Sequence, residues 1–376
     1  MGASKETRDK ADALKKKRAT AEVKKPARKP QPKNKSHTVT ALLKKAGNKK
    51  WDDTFIHPED AAGNIGQYFS TGLAPLDVLL TGEVGKGIPA GRMTELLGQS
   101  DVGKTTLGCY LIKSAQEAGG VGILIDTESS LSAKRMSELG VDLDGAIVIE
   151  EVVIEEILEQ IEFLVEKLGD TPAVIFWDTI ASTRSRSDAG KRVSEGRIAR
   201  HATAMSDGLR RITKAVARSN VALVCCNQRK EGGIGEMFTN ARQKDATLGG
   251  EAIRFHTTHR IKLSYLKKRA PKEGEAAFVV HAQCLKNKVA PSNLVCSLVF
   301  NNQGDVAEWD KPGCIISTLQ KWKALREGAH VYTTRAGAKL TQNKLRAQLM
   351  ASKEFGNEMN ELLETTFNDL TNRNLM

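Results

Sequence analysis

Apolar positions between residues 93 and 228 switch between short unbroken runs and helical spacing. Val121–Ile125, Ala173–Trp177 and Val221–Cys226 are runs of five or six apolar or small residues, and Met93–Leu97 is a similar run interrupted by Thr94 and Glu95, the length and pattern of strands buried on both faces. Between them, other apolar residues recur at steps of three and four. Leu107, Tyr110, Leu111, Ser114, Ala115 and Ala118 predict one helix, which Gly119-Gly120 stops. Ile154, Ile157, Leu158, Ile161, Val165 and Leu168 predict a second, acidic on its outer face and stopped by Gly169. Met205, Leu209, Ile212 and Val216 predict a third, with Arg210, Arg211, Lys214 and Arg218 facing outward. Strands alternating with helices imply an α/β fold with a mostly parallel sheet covered by helices.

The flanks read differently. Ser70–Asp77 with Gly85–Gly91 looks like a strand–turn unit leading into the first core strand. Arg260–Tyr265, Phe278–Leu285 and Leu294–Phe300 have no helices between them and predict an antiparallel addition to the sheet. Ile315–Leu325, Lys339–Met350 and Glu354–Leu370 predict helices around a turn at Tyr332–Arg335. Residues 1–36 are rich in Lys, Ala and Pro and bury too little surface to fold. The expected organisation is a disordered basic arm (1–36), an N-terminal packing segment (37–69), an α/β core (70–313) and a C-terminal helical domain (314–376). Val39–Ala46 reads as a short helix suited to docking on a neighbouring subunit.

Charge changes this picture in one respect. The 376 residues carry a net charge of +12, yet residues 1–50 alone hold 17 Lys and Arg against 4 Asp and Glu. The remainder is close to neutral, so the basic excess belongs to the arm. Such an arm suits a nucleic-acid tether, each Lys replacing a phosphate counterion; a solubilising tail or a nuclear address at Lys15–Arg18 are the alternatives. No run of about 18 apolar residues spans a membrane, and the N-terminus lacks the apolar stretch of a secretory signal. The cysteines (Cys109, Cys225, Cys226, Cys284, Cys296, Cys314) form no C-x-x-C pair and read as reduced core residues of an intracellular protein.

The first strand runs into Gly98-Gln99-Ser100-Asp101-Val102-Gly103-Lys104-Thr105-Thr106, the G-x-x-x-x-G-K-[ST] phosphate loop. Its glycines let backbone N–H groups turn inward on a polyphosphate, and the following helix adds its positive end. Lys104 is placed to reach the β- and γ-phosphates and Thr105 to ligate Mg²⁺. A nucleoside triphosphate is implied. Ligands of open α/β sheets sit at the carboxyl ends of the strands, where Asp126, Glu128, Asp178, Asn227 and Gln228 also fall. Asp178 closes its strand as a Mg²⁺-shell carboxylate does. Glu128 is the candidate to take a proton from an attacking water, and Gln228 to sense the γ-phosphate.

Two stretches beyond these ends read as long functional loops. Residues 182–200 carry Arg184, Arg186, Lys191, Arg192, Arg197 and Arg200. Residues 229–248 carry Arg229, Lys230, Arg242 and Lys244, with Ile234, Met237 and Phe238 able to wedge between or stack on bases. Solvated surface loops are the alternative.

From Ser70 to Pro291 these features together resemble the RecA-type DNA recombinases, the strand-exchange ATPases. The likeness rests on Ser70-Thr-Gly with Leu76-Asp77, Pro89-Ala-Gly-Arg92, the phosphate loop, Ile125-Asp-Thr-Glu128, Leu139-Gly-Val-Asp142 and Phe176-Trp-Asp178. It continues through Asn227-Gln228, Ile234–Phe238, Gly249-Gly250 and Lys286-Asn-Lys288-Val-Ala-Pro. The resemblance implies a P-loop core that uses ATP and Mg²⁺ and forms a homo-oligomeric filament on single-stranded DNA, pairing it with duplex. It implies Glu128 as catalytic glutamate, Gln228 as the sensor, the two loops as DNA-binding, and single-strand-binding and loader proteins as partners. Lys286 and Lys288 match a pair that reaches the ATP of the adjacent subunit. Arg135 stands where bacterial members place a tyrosine on the adenine, Ser132 where they place an aspartate, and the first loop and the arm are unusually basic. These departures suggest a divergent member, with a viral origin among the possibilities. A ring-shaped helicase on the same core, or a non-catalytic mediator, are the competing readings.

Overall fold

The computed structural model describes residues 61–374 except 62, 189–196, 229–249, 267–276, 303–306 and 329. The basic arm and Val39–Ala46 lie outside the described residues. The sheet and its helices belong to one compact unit, Ile65–Met376.

Strand β1 (Tyr68–Phe69) pairs antiparallel with β2 (Ile88–Pro89). Helix α1 (Ala74–Thr81) lies between them, where the sequence suggests a turn. The reason is local. Pro75 suits a first helical turn, Leu76, Leu79 and Leu80 are buried, and Gly82 takes the left-handed conformation that ends the helix. Asp77, inside α1, accepts from the Ser70 and Thr71 hydroxyls and from the Thr71 and Gly85 amides, which ties the unit together.

Then come β3 (Met93–Gly98), α2 (Lys104–Glu117), β4 (Val121–Asp126), α3 (Ala133–Glu138), β5 (Ala146–Ile149), α4 (Ile154–Leu168) and β6 (Ala173–Asp178). They are followed by α5 (Arg197–Val216), β7 (Val221–Gln228), α6 (Gly250–His256), β8 (His259–Tyr265), β9 (Ala277–Asn287), β10 (Val295–Asn301) and β11 (Glu308–Trp309). Among the described residues these strands form one nine-stranded sheet in the order β11-β10-β9-β8-β3-β7-β6-β4-β5. From β8 to β5 the neighbours are parallel, and β9, β10 and β11 join antiparallel.

The continuous apolar runs have their reason in two cores, one on each face. Successive strand side chains point to opposite faces. Ile123, Ile125, Ile175, Trp177, Leu223 and Cys225 therefore meet α4 and α5, while Leu124, Val174, Phe176, Ala222, Val224 and Cys226 meet α1 and α2. The second core extends through α7 (Lys311–Lys321), α8 (Gln342–Ala351) and α9 (Lys353–Asn374), whose Ile316, Leu319, Leu345, Met359 and Leu363 belong to it. A short hairpin, β12 (Tyr332–Thr333) with β13 (Lys339–Leu340), precedes α8. The sequence pattern puts Lys339 and Leu340 inside a helix; in the structure that helix starts later, where the Thr341 hydroxyl accepts from the Lys344 amide. The six cysteines are buried and unbridged.

Candidate functional site

The phosphate loop lies between β3 and α2, at the end of the central parallel strand. Gly103 holds φ at 90°, and a Cβ there would come within 2.5 Å of the Trp309 ring. Asp101 also takes a positive φ of 61°. Gly98 is equally confined: an added Cβ would lie 2.8 Å from Val102 Cγ1 and 3.0 Å from the Leu263 carbonyl. The loop is propped from β8 and β11. Tyr265 Oη donates to the Ser100 carbonyl at 3.2 Å, and Tyr265, Phe278, Phe300 and Trp309 form a chain of ring contacts that ends under Gly103. Sequence reasoning missed this support, since widely spaced aromatics on antiparallel strands carry no motif.

Lys104 is buried, and its Nζ donates to the carbonyls of Gly98 (3.2 Å) and Gln99 (2.6 Å), inside the loop it serves. Thr106 and Val102 are buried against the core. Thr105 Oγ1 donates to Asp178 Oδ2 at 2.6 Å, across from β6. Burial raises the Asp178 carboxyl above its ordinary value, against the lowering effect of Thr105 and Lys104. Two hard oxygen donors side by side, one a carboxylate that lacks a full counter-charge, fit Mg²⁺, which takes few protein ligands and leaves places for phosphates and water.

The neighbouring strand ends are stitched together. Thr127 N donates to the Asp178 carbonyl, Thr127 Oγ1 to the Thr179 carbonyl, and Thr179 Oγ1 to the Cys226 carbonyl. Asp126 is engaged within its own turn. Its two oxygens accept the amides of Glu128, Ser130 and Leu131, so it shapes the turn that presents Glu128. Glu128 Oε1 accepts from Ser182 Oγ at 2.8 Å and from Gln228 Nε2 at 3.2 Å. The structure thus brings together Lys104, Thr105, Asp178, Glu128 and Gln228 from four separate segments.

Arg135 lies on α3, with its guanidinium on the Ala307 carbonyl and near Glu138; the Ser132 hydroxyl caps that helix. Neither was legible as structure in the sequence.

Lys286 and Lys288 sit elsewhere. Lys286 pairs with Arg260 and Arg260 with Glu95, so Lys286 is level with the early part of β3. That is about 10 Å back along the strand from Gly98 and two strands aside. Its Nζ donates to the Arg254 and Phe255 carbonyls at the end of α6 (2.6 and 3.1 Å). Partial burial, then the cations Lys288, Arg260 and Arg254, lower its pKa to about 8. Between the two lysines, Asn287 accepts the Val289 and Ala290 amides and donates to the Leu80 carbonyl, fixing the turn that exposes Lys288.

Of the expected DNA-contacting residues, Arg184 is exposed just past the turn after β6. Arg186 pairs with Glu156 (2.8 Å) and Glu159 (3.4 Å) of α4, and Arg200 with Asp188 (2.6 Å). The stretch read as a loop to residue 200 starts on the last residue of one 3₁₀ turn (Ile180–Ser182) and contains another (Arg186–Asp188), and α5 begins at Arg197. Lys191, Arg192, Arg229, Lys230, Ile234, Met237, Phe238, Arg242 and Lys244 lie outside the described residues.

Beneath the site, Glu95 and Arg260 form a buried ion pair at 2.6 Å, 0% and 6% exposed. Asn227 Nδ2 donates to the other Glu95 oxygen at 3.0 Å.

The family model of the RecA N-terminal domain matches residues 49–302. The chain belongs to the RecA family. It is 32% identical over 281 residues to Protein RecA of Rhodopirellula baltica, covering 73% of this chain and 72% of that protein. Against Protein RecA of a Wolbachia from Brugia malayi it is 30% identical over 309 residues, 80% of this chain and 83% of the other. Against Protein RecA of Aquifex pyrophilus it is 37% identical over 224 residues, 59% of this chain and 61% of that protein, less than two thirds of that relative's length. The RecA match spans the whole parallel sheet, the phosphate loop, and Lys286 and Lys288.

Proposed function

We propose that this chain is an ATP-dependent DNA recombinase: it assembles as a filament on single-stranded DNA, pairs that strand with homologous duplex, and exchanges strands. The reading is supported above all by the Gln228 amide on the Glu128 carboxylate. It joins the hydrolytic acid to the residue that leads directly into the basic and apolar segment 229–248. ATP and DNA would then be sensed by the same pair of side chains.

In this mechanism, Lys104 turns from the Gly98 and Gln99 carbonyls to the β- and γ-phosphates, and the first α2 amides donate to phosphate oxygens. Mg²⁺, when bound, neutralises phosphate charge, and Thr105 with Asp178 would hold it. Glu128 accepts a proton from a water whose oxygen forms the new bond to the γ-phosphorus. The bond from the γ-phosphorus to the bridging oxygen breaks, and its electron pair leaves with ADP. Gln228 follows the γ-phosphate and relays its loss to the segment beyond it. Lys286 and Lys288 lie toward the start of the parallel strands and so suit the ATP of an adjacent subunit, with filament formation completing each site. The basic arm adds a salt-sensitive tether to DNA, and the protein acts wherever the cell's DNA lies, with single-strand-binding and loader proteins as partners.

The test is to image the protein on single-stranded DNA with and without a slowly hydrolysed ATP analogue. Analogue-dependent helical filaments are expected, and closed rings that unwind duplex would contradict the proposal.

A further inference from the structure

We infer that Ser182 is a positioning residue for hydrolysis: its hydroxyl fixes the Glu128 carboxylate and ties the segment after β6 to the reaction. The inference rests on the proposed role of Glu128 and deepens it.

Glu128 Oε1 accepts from Ser182 Oγ (2.8 Å) and Gln228 Nε2 (3.2 Å). Among the described residues Oε2 has no such partner, so it is the oxygen left to take a proton from water. A carboxylate on a flexible, exposed side chain has several rotamers to choose from. Two donors on one oxygen, arriving from β7 and from the turn after β6, select one of them. Gln228 alone is the longer contact and comes from a single side, so the serine supplies the second point that defines the carboxylate plane.

Ser182 is itself well anchored without its hydroxyl. It ends the 3₁₀ turn Ile180–Ser182, whose Ile180 is buried. Its amide donates to the Thr179 carbonyl (3.2 Å), and the Thr183 amide and hydroxyl both donate to the Ile180 carbonyl (3.2 and 2.6 Å). Removing Oγ therefore leaves the turn in place and removes only the tie to Glu128. The next residue extends the link outward: Thr183 Oγ1 lies 3.1 Å from His201 Nε2 on α5, across the basic stretch 184–200. Glu128 is thereby tied to both basic segments, through Ser182 on one side and Gln228 on the other.

The experiment compares Ser182→Ala, Ser182→Thr and Glu128→Gln in steady-state ATP hydrolysis with saturating single-stranded DNA. Ser182→Ala is expected to lower kcat about tenfold, equivalent to about 1.4 kcal/mol in the barrier. The KM for ATP and the affinity for DNA should stay within about twofold, because no phosphate or DNA contact is lost. Ser182→Thr, which keeps the hydroxyl, should recover kcat to within about twofold of the parent. Three results would overturn the inference: an unchanged kcat in Ser182→Ala while Glu128→Gln is inactive; a loss that Ser182→Thr does not restore; or a change in KM or DNA affinity with kcat intact. Full turnover in Glu128→Gln would instead remove the acid from its role, and the serine's with it.

Discussion

Glu95→Gln is the most informative single perturbation of the scaffold beneath the site. Glu95 is fully buried on β3, three residues before Gly98, and its carboxylate takes both Arg260 from β8 and Asn227 from β7. One side chain thus sets the level of the three strands whose ends carry the phosphate loop, Gln228 and Tyr265. Glutamine is nearly isosteric: its oxygen can still accept from Arg260, and its amide can donate to Asn227 once that side chain turns its own oxygen round. What it removes is the charge, which leaves the guanidinium of Arg260, 6% exposed, without a counter-ion. Breaking a buried pair in this way costs about 3–5 kcal/mol. Unfolding entropy near 2.1 cal/mol/K per residue over Ile65–Met376 gives about 0.65 kcal/mol per degree, so Tm should fall by about 5–8 °C. The assay is thermal and urea unfolding followed by far-UV circular dichroism. The pair Glu95→Leu with Arg260→Met should recover most of the loss, because well-packed apolar replacements of buried ion pairs are often neutral or stabilising. A Tm within about 2 °C of the parent in Glu95→Gln would refute the reasoning, since it would mean that water reaches the guanidinium.

The same geometry sets other expectations. Lys286 has its pKa lowered to about 8, and a lysine carries its charge only below its pKa. If its charge serves a neighbouring ATP, hydrolysis should decline as pH rises through about 8 and beyond, phosphate contact shifting the limb upward; Lys286→Arg should retain its activity to higher pH, and an identical alkaline limb in both proteins would count against the role. Gly103→Ala meets both a left-handed backbone and the Trp309 ring, so it should abolish binding of a fluorescent ATP analogue; binding within about threefold of the parent would contradict the account of the loop. Deleting residues 1–36 should weaken single-stranded DNA binding most at low salt and flatten the salt slope, measured by fluorescence anisotropy; an unchanged slope would reduce the arm to a tail or an address.

Much of the core was legible because its signals are local. Strand runs from Val121, Ala173 and Val221 end at Asp126, Asp178 and Gln228 as the alternation implied, and the phosphate loop is a contiguous motif. Helix α1 was hidden because Ser-Thr-Gly and Pro75 look like turn chemistry until the burial of Leu76 and Leu79 is known. Strand β5 was missed because Ala146–Ile149 is a short edge strand whose Ile147 and Val148 remain exposed. The least legible features join residues far apart in the chain: the aromatic chain to Gly103, the Glu95–Arg260–Asn227 network, and Ser182 on Glu128. None has a fixed spacing, so only packing reveals them. Asp126 shows the reverse case, since its strand-end position suggested chemistry and its hydrogen bonds show a turn-former.

If ATP turnover on a DNA filament serves strand exchange, homologous pairing reports it. The protein should convert a labelled single strand and its homologous duplex into joint molecules in the presence of ATP and Mg²⁺. Lys104→Ala should form none, and a non-homologous duplex should yield none with the parent protein. Unwinding of duplex without joint molecules, or pairing that ignores homology, would contradict the account.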